Sequence, residues 1–484
     1  MKSKRILLVC VALLGIAWIQ AQTRNPKRGL GYGFPMKEDI EVLAPAMAWT
    51  YNWGTNNASF ASTFKANNID VVPMAWNGTD AQAIRNFKNT YPNCQYILAF
   101  NEPNLTDQAN MTPAQAAAKW PELKAIANEL GLKIISPAMN YGTLAGYSDP
   151  IKWLDEFFAQ SGVSVNDVDG ISIHCYMSSV GALKSYVEKF RKYNKPVWLT
   201  EFCAWEGNVT VESQQNYLVE AFNYLETEPL VARYAWFIGR GWNDAAPYMQ
   251  LLDRSKEGVL KDLGQIYVHL SSHDVAYWHK IDQIIQAEHY IRSSAYIHAE
   301  KTSDTSGDIS LSDFYIDSWA EYQVDVAKTG DYYLYFRVAA AYDGGLKVTV
   351  DGNQVATLDV PATGGLSSWK QIGIKARLNA GKQTLRVAVT KGRVNFNWWI
   401  IRQFGLSIQN LETETLSVYP NPVIDQLYLK DGEASVTVYD LSGKKLLEKQ
   451  NASSVDLSAL KAGVYLVEVQ AASGERNTYK IIKK

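Results

Sequence analysis

Between residues 28 and 270 short apolar runs alternate with longer amphipathic or alanine-rich stretches. The runs fall at 28–33, 46–52, 70–76, 96–100, 133–138, 170–176, 196–201 and 233–238. They lack polar alternation and are rich in Val, Ile, Tyr and Trp, as strands buried on both faces are. The stretches between them carry helix signals. Thr112-Pro113 and Asp149-Pro150 each read as a cap followed by proline at the first helical position, opening helices over 112–130 and 149–158. Further helices are predicted over 181–193 and 211–227. Eight strands alternating with helices at this length predict a (β/α)8 TIM barrel, with a doubly wound open sheet as the rival. No glycine-rich phosphate loop follows an early strand, which speaks against the rival.

From about 281 to 404 the pattern shortens to closely spaced strands and turns, an all-β sandwich signature. A polar linker over 405–415 leads to a second small β segment without tryptophan, including a turn at Ser442-Gly443. The expected organisation is a signal peptide over 1–21, a barrel over 22–275, a sandwich module over 280–404, the linker, and a tail over 416–484. Lys2, Lys4 and Arg5 precede an apolar run of 14 residues, Ile6 to Ile19, too short to span a bilayer comfortably, and Ala21 offers a cleavage point.

Composition narrows the function. Net charge is −2 with no long basic run, so a nucleic-acid surface has no support. Past the signal, Cys94, Cys175 and Cys203 form no metal-binding spacing. A Cys175–Cys203 bridge stays open at this point. Tryptophan (15) and tyrosine (28) are abundant, as core filling or as sugar-stacking platforms.

The strand ends carry the chemistry. In barrels, active sites lie at the C-terminal ends of the strands. The fourth run stops at Asn101-Glu102-Pro103 and the seventh at Thr200-Glu201-Phe202. Proline cannot continue a central strand, so Glu102 sits at an edge. Strands four and seven face each other across a barrel mouth, which brings two carboxylates to one groove. A glycosidase needs such a pair, one to protonate the leaving oxygen and one to attack or to activate water. Trp53, Trp76, His174, Tyr176 and Trp236 also fall at strand ends, although each taken alone reads more readily as core.

The ordered set Trp49-Thr-Tyr-Asn-Trp53, Val72-Pro-Met-Ala-Trp76, Asn101-Glu102-Pro103, Ser136-Pro-Ala138, Ser172-Ile-His-Cys-Tyr176 and Trp198-Leu-Thr-Glu-Phe202 resembles glycoside hydrolase family 128, endo-β-1,3-glucanases of the retaining barrel clan. The resemblance implies Glu102 as acid/base and Glu201 as nucleophile. It implies Asn101 on the sugar 2-hydroxyl, Tyr176 holding Glu201, His174 orienting Glu102 or touching sugar, and Trp53, Trp76 and Trp236 as sugar platforms. This chemistry requires no metal. Xylan, mannan or mixed-linkage glucan remain as alternative substrates, and a non-catalytic surface glycan-binding protein as the alternative class.

In the sandwich, Gln286-Ala-Glu288, the run from Phe314 to Tyr322, Gly364-Gly-Leu-Ser-Ser-Trp369 and Asn395-Phe-Asn-Trp-Trp399 resemble carbohydrate-binding module family 6. Glu300, Tyr315, Trp369 and Asn397 are the sugar-binding positions this implies, with Asn395 as the neighbour on the same face. Trp398 and Trp399 read as core. The resemblance also implies a structural calcium on Gln286 and Glu288, although the late strand Ile400-Ile-Arg-Gln-Phe404 lacks the acidic partner. The opening Tyr419-Pro-Asn-Pro422 and the later Gly463-Val-Tyr465 resemble the C-terminal sorting domain read by the type IX secretion system. The expected partners are thus a β-glucan and that secretion machinery, for a monomer exported through the periplasm and across the outer membrane to the medium or the cell surface.

Overall fold

A computed structural model describes residues 22–56, 58–403, 418–429, 433–440, 444–470 and 476–484. The expected signal peptide, the linker and the Ser442-Gly443 turn lie outside the described residues. Contacts divide the chain into two units between Gln403 and Phe404.

The first unit opens with eight short strands: β1 Arg28–Gly31, β2 Trp49–Tyr51, β3 Asp70–Val71, β4 Tyr96–Leu98, β5 Lys133–Ile135, β6 Ile171–Cys175, β7 Val197–Phe202 and β8 Val231–Trp236. Six form one sheet in the order β3-β2-β1-β8-β7-β6, and β4 pairs with β5. Every pairing is parallel. Single parallel bridges join Met74 to Leu98, Ile135 to Gly170 and Met139 to Ile173. Pairing therefore runs from β1 round to β8 and back to β1. Trp49, Tyr51, Val72, Met74, Leu98, Ile135 and Trp198 pack inside this ring. Gly29 shows how tightly: a Cβ there would lie 2.3 Å from the Trp49 indole nitrogen.

The helices begin where the cap signals place them. Thr112 caps Pro113–Leu130 in a reciprocal box with Gln115, and Gly131 ends it at φ +63°. Asp149 caps Pro150–Phe158, and Val211–Thr227 matches the expected span. The third predicted helix is Val180–Lys189 followed by a 3-10 turn, Phe190–Tyr193.

Arg28 ties the two ends of the ring together. It is buried, pairs with Glu226 at 2.6 Å and donates to the carbonyls of Tyr267 and Ser271. Removing one member of a buried pair strands the other charge, at a cost of about 3–5 kcal/mol. Arg28→Met should lower unfolding free energy by about that amount in denaturant titrations, and adding Glu226→Gln should restore much of it.

The second half of this unit is a β-sandwich. One sheet runs in order through the strands His298–Lys301, Ile309–Tyr315, Arg393–Gln403, Gly330–Ala340 and Gly365–Leu378, and the other through Arg292–Ser293, Trp319–Val326, Gly381–Lys391, Gly344–Val350 and Asn353–Val360. Trp398 and Trp399 are core, as expected. A continuous apolar core extends from Leu30 through to Ile401, so the sandwich is packed onto the α/β part. His298 reaches Glu220 on the helix Val211–Thr227, and Lys301 reaches Asp262 at the start of the helix Asp262–His269.

The second unit, described by itself, is a small all-β body. An antiparallel sheet runs in the order Lys445–Ala452, Ala434–Tyr439, Gly463–Gln470, Arg476–Lys483. Val423, Leu427, Val436, Val455, Val467 and Ile481 form its core. Among the described residues no helix is long and apolar enough to cross a membrane, and Cys94, Cys175 and Cys203 are free thiols. Cys175 and Cys203 end neighbouring strands, yet no bridge joins them.

Candidate active site

At the C-terminal ends of the parallel strands lies a cleft of about 860 Å³. Glu102 follows β4 with its backbone in the left-handed region, φ +43°. Glu201 lies on β7, opposite His174 of β6 in register. Both carboxylates are nearly buried, at 6% and 5% exposure. Such groups must be paired or hydrogen-bonded.

Three donors converge on Glu201. The Tyr51 hydroxyl and the Trp53 indole donate to Oε1 at 3.1 and 2.6 Å, and the Tyr176 hydroxyl donates to Oε2. Burial, and then the Glu201 charge, push both tyrosine hydroxyls well above the ordinary range, so they stay protonated donors. Glu102 differs. Its Oε1 accepts from Asn140 at 2.9 Å and lies 2.8 Å from His174 Nδ1. Burial pushes the Glu102 carboxyl up, but the His174 charge and the His174 and Asn140 hydrogen bonds outweigh it and hold the group down. Burial pushes His174 down, and the Glu201 and Glu102 charges reverse it, leaving the imidazole raised. One atom each of Glu102, His174 and Glu201 lie within 4.8 Å of one another. Three of the four carboxylate oxygens already accept from neutral donors, which suits proton chemistry better than a metal.

Around the pair, Trp53, Trp76, Asn101 and Tyr176 line the cleft as expected. The Asn101 Oδ1 is buried without a protein partner. One expectation is corrected. Trp236 is fully buried, donates to the Met249 carbonyl and packs on Phe202, so it is no platform. His174 is fully buried and lies 2.8 Å from Glu102, so of its two expected roles its placement serves the orienting of Glu102 rather than contact with sugar. The wall is completed instead by Phe237, Trp205 and Trp242, the last 56% exposed, with the two indoles 5.6 Å apart. Trp242 had a signal in the sequence: it stands alone in the polar loop Arg240-Gly-Trp-Asn-Asp244. Asn140 had none.

In the sandwich, Glu300 is half-buried and accepts from Asn395 at 2.9 Å. Tyr315 is exposed, with Arg393 over its ring, and Trp369 donates to Ser303. Asn397 is corrected. It is fully buried and donates to Asp304 and to the Ser306 carbonyl. Asn395 is the residue beside Glu300. The implied calcium fits the residues present. Gln286 Oε1 and Glu288 Oε2 are buried oxygen acceptors without partners, the donor type calcium takes; burial pushes the Glu288 carboxyl well up.

A parallel strand ring with paired acidic residues in an aromatic cleft defines a carbohydrate-active enzyme. Residues 29–267 match the glycosyl hydrolase catalytic core, residues 286–403 the carbohydrate binding module (family 6), and residues 417–484 the secretion system C-terminal sorting domain. A subgroup II endo-β-1,3-glucanase of glycoside hydrolase family 128 from Pseudomonas viridiflava is 37% identical, with 51% of this chain covering 99% of that one at a TM-score of 0.47. Its counterpart from Sorangium cellulosum is 38% identical, 50% of this chain covering 98% of that one at a TM-score of 0.46. On this identity over nearly the whole of those enzymes, the chain belongs to glycoside hydrolase family 128. The alkali-sensitive linkage protein 1 of Schizosaccharomyces pombe is 25% identical over 271 residues, which are 52% of this chain and 44% of that protein. The chain thus spans less than half the length of the curated relatives it matches.

Proposed function

We propose that this protein is an exported endo-β-1,3-glucanase that hydrolyses its substrate with retention of anomeric configuration. The observation that carries the mechanism is the approach of the two carboxylates, with one oxygen of each within 4.8 Å of the other. Retaining enzymes hold their carboxyl groups about 5–5.5 Å apart, while inverting ones leave about 6.5–9.5 Å for a water. The pairing circuit is read as a closed (β/α)8 barrel, which puts both groups on its catalytic face.

Glu201 is the nucleophile. Its three donors keep it ionised and aimed, and it attacks the anomeric carbon to give a glycosyl-enzyme. Glu102 is the acid. Its Oε2 has no protein partner and faces the cleft, where it protonates the departing oxygen and later takes a proton from water. Trp53, Trp76, Trp205 and Trp242 present apolar faces to pyranose rings. The β-1,3 linkage is carried over from the family 128 relatives. The sandwich holds glucan through Glu300, Asn395, Tyr315 and Trp369, with a structural calcium on Gln286 and Glu288. The sorting domain directs type IX export to the medium or cell surface, and the enzyme acts as a monomer.

The test is reducing-sugar release on β-1,3-glucan, xylan, mannan and mixed-linkage glucan, with NMR of the first product. Release confined to β-1,3-linked chains and a β-anomer at the earliest time are expected. An α-anomer would overturn the nucleophile, and release from xylan or mannan alone the substrate.

A further inference from the structure

We propose that His174 and Glu102 form one proton-sharing pair, and that this pair, rather than Glu102 alone, is the general acid/base; the proposal rests on the carboxylate roles given above. His174 has no solvent exposure, and its ring spans the two carboxylates. Nδ1 lies 2.8 Å from Glu102 Oε1 and Nε2 lies 3.5 Å from Glu201 Oε1, with no other partner for Nε2. A bare nitrogen lone pair facing a carboxylate in a water-poor site is repelled by it. Glu201 therefore keeps the proton on Nε2. The remaining proton lies on the link between Nδ1 and Glu102.

That proton has two positions of equal total charge. On nitrogen it makes an imidazolium beside a carboxylate. On oxygen it makes a neutral imidazole beside a carboxylic acid, the form that catalyses. No proton from solvent is needed to pass between them. In the first step the neutral Glu102 carboxyl makes a half-turn about its last side-chain bond, which carries the protonated oxygen from His174 to the cleft; it gives the proton to the glycosidic oxygen, the bond from that oxygen to the anomeric carbon breaks, and Glu201 forms its ester. The anion facing Nε2 is thereby lost, so the imidazole senses directly that the nucleophile is occupied. In the second step water adds to the anomeric carbon, its proton goes to the pair, and the ester bond breaks to return Glu201 as an anion. Protons and charge balance over the cycle.

Other titratable groups around the ring do not compete. Tyr51 from β2, Tyr186 from the helix Val180–Lys189 and Cys203 after β7 are buried, Tyr176 after β6 is half-buried, and all four are held protonated. Only the two carboxylates bring charge to His174.

His174→Asn tests the idea in the full-length enzyme, because asparagine can still donate towards Glu102 but cannot take up a proton. In kcat/KM against pH on a β-1,3-gluco-oligosaccharide, the basic limb of the parent reports loss of the shared proton. In the variant that limb should move down by about one pH unit or more while the acid limb stays with Glu201. A uniform fall in kcat with both limbs unmoved would overturn the shared proton, since a purely positional role predicts that. A second measurement does not depend on this variant folding. In 15N-histidine NMR the His174 ring should stay doubly protonated well above pH 6.5, the ordinary histidine value, and lose that proton at lower pH in Glu102→Gln. Identical His174 titrations in the two proteins would sink the proposal. If Glu102→Gln and Glu201→Gln hydrolyse as well as the parent, the carboxylate assignment itself fails; if they are inactive while His174→Asn keeps the parent's limbs, only the shared proton does.

Discussion

Glu102→Ala should cut turnover of β-1,3-glucan by on the order of 10²–10⁴-fold, the usual contribution of a positioned acid/base. A sugar alkoxide is a poor leaving group and must be protonated as it departs. An aryl glycoside with an acidic phenol needs no such help, so its glycosylation step should be nearly unaffected. The glycosyl-enzyme then waits for a base that is gone. A steady state on the aryl substrate should show a burst followed by slow turnover. Added azide needs no base and should restore the rate, giving the β-azide. Glu201→Ala removes the nucleophile, so both substrates should fail, and azide should attack directly from the opposite face to give the α-azide. The two azide products separate the roles without relying on rate alone. A burst on the aryl substrate slowed as much as glucan turnover in Glu102→Ala would refute the acid assignment.

Both glutamates were legible because each ends an apolar run, and a carboxylate at the rim of a buried sheet has few other reasons to be there. The alternating pattern also placed all eight strands and the caps at Thr112 and Asp149. What failed was facing. Trp236 and Phe237 are neighbours at the end of β8. A run buried on both sides gives no hint which points into the ring mouth and which into the helix layer. Phe237 took the cleft and Trp236 the layer, against Phe202. The same ambiguity exchanged Asn397 for Asn395: residues 394–401 are buried throughout, and a register irregularity beside Arg337 interrupts the alternation there. Trp205 and Trp242 come from loops, whose course no periodicity encodes. The bridge made by His174 depends on the registry of β6 against β7 and on the turn after β4, neither of which sequence spacing fixes.

Acid should loosen the seam between the α/β part and the sandwich before it harms the cleft. Five of the six histidines, His269, His273, His279, His289 and His298, lie where the α/β part ends and the sandwich begins. His269, His279 and His289, spread over twenty positions of sequence, come together in the fold. His273 sits between Ile291 O and Asn223 Oδ1 at 2.9 and 3.0 Å, tying the sandwich to the helix Val211–Thr227. The rings of His279 and His289 stack 6.4 Å apart. Burial pushes His279 down to about 4, and burial with the neighbouring His279 and His269 pushes His289 down to about 3. Burial lowers His269 and His273 too, against the opposing pull of Asp308 and Glu226. These groups are neutral in the fold, while the unfolded chain takes up protons at the ordinary value near 6.5. The sign follows: the folded pKa is depressed, so stability is full above about pH 6.5, falls as pH drops towards the folded values, and levels off below them. His279 and His289 each contribute a slope of about 1.4 kcal/mol per pH unit inside that window. Between pH 6.5 and 5, His279 and His289 together should remove about 3–4 kcal/mol. Urea unfolding of the full-length protein at a series of pH values measures this, and His279→Gln with His289→Gln should flatten the acid side of the curve. Carboxylates protonating elsewhere would lower stability in both proteins alike, so it is the difference between parent and double variant that decides. A difference that does not change between pH 7 and 5 would mean that the seam is not held by neutral histidines.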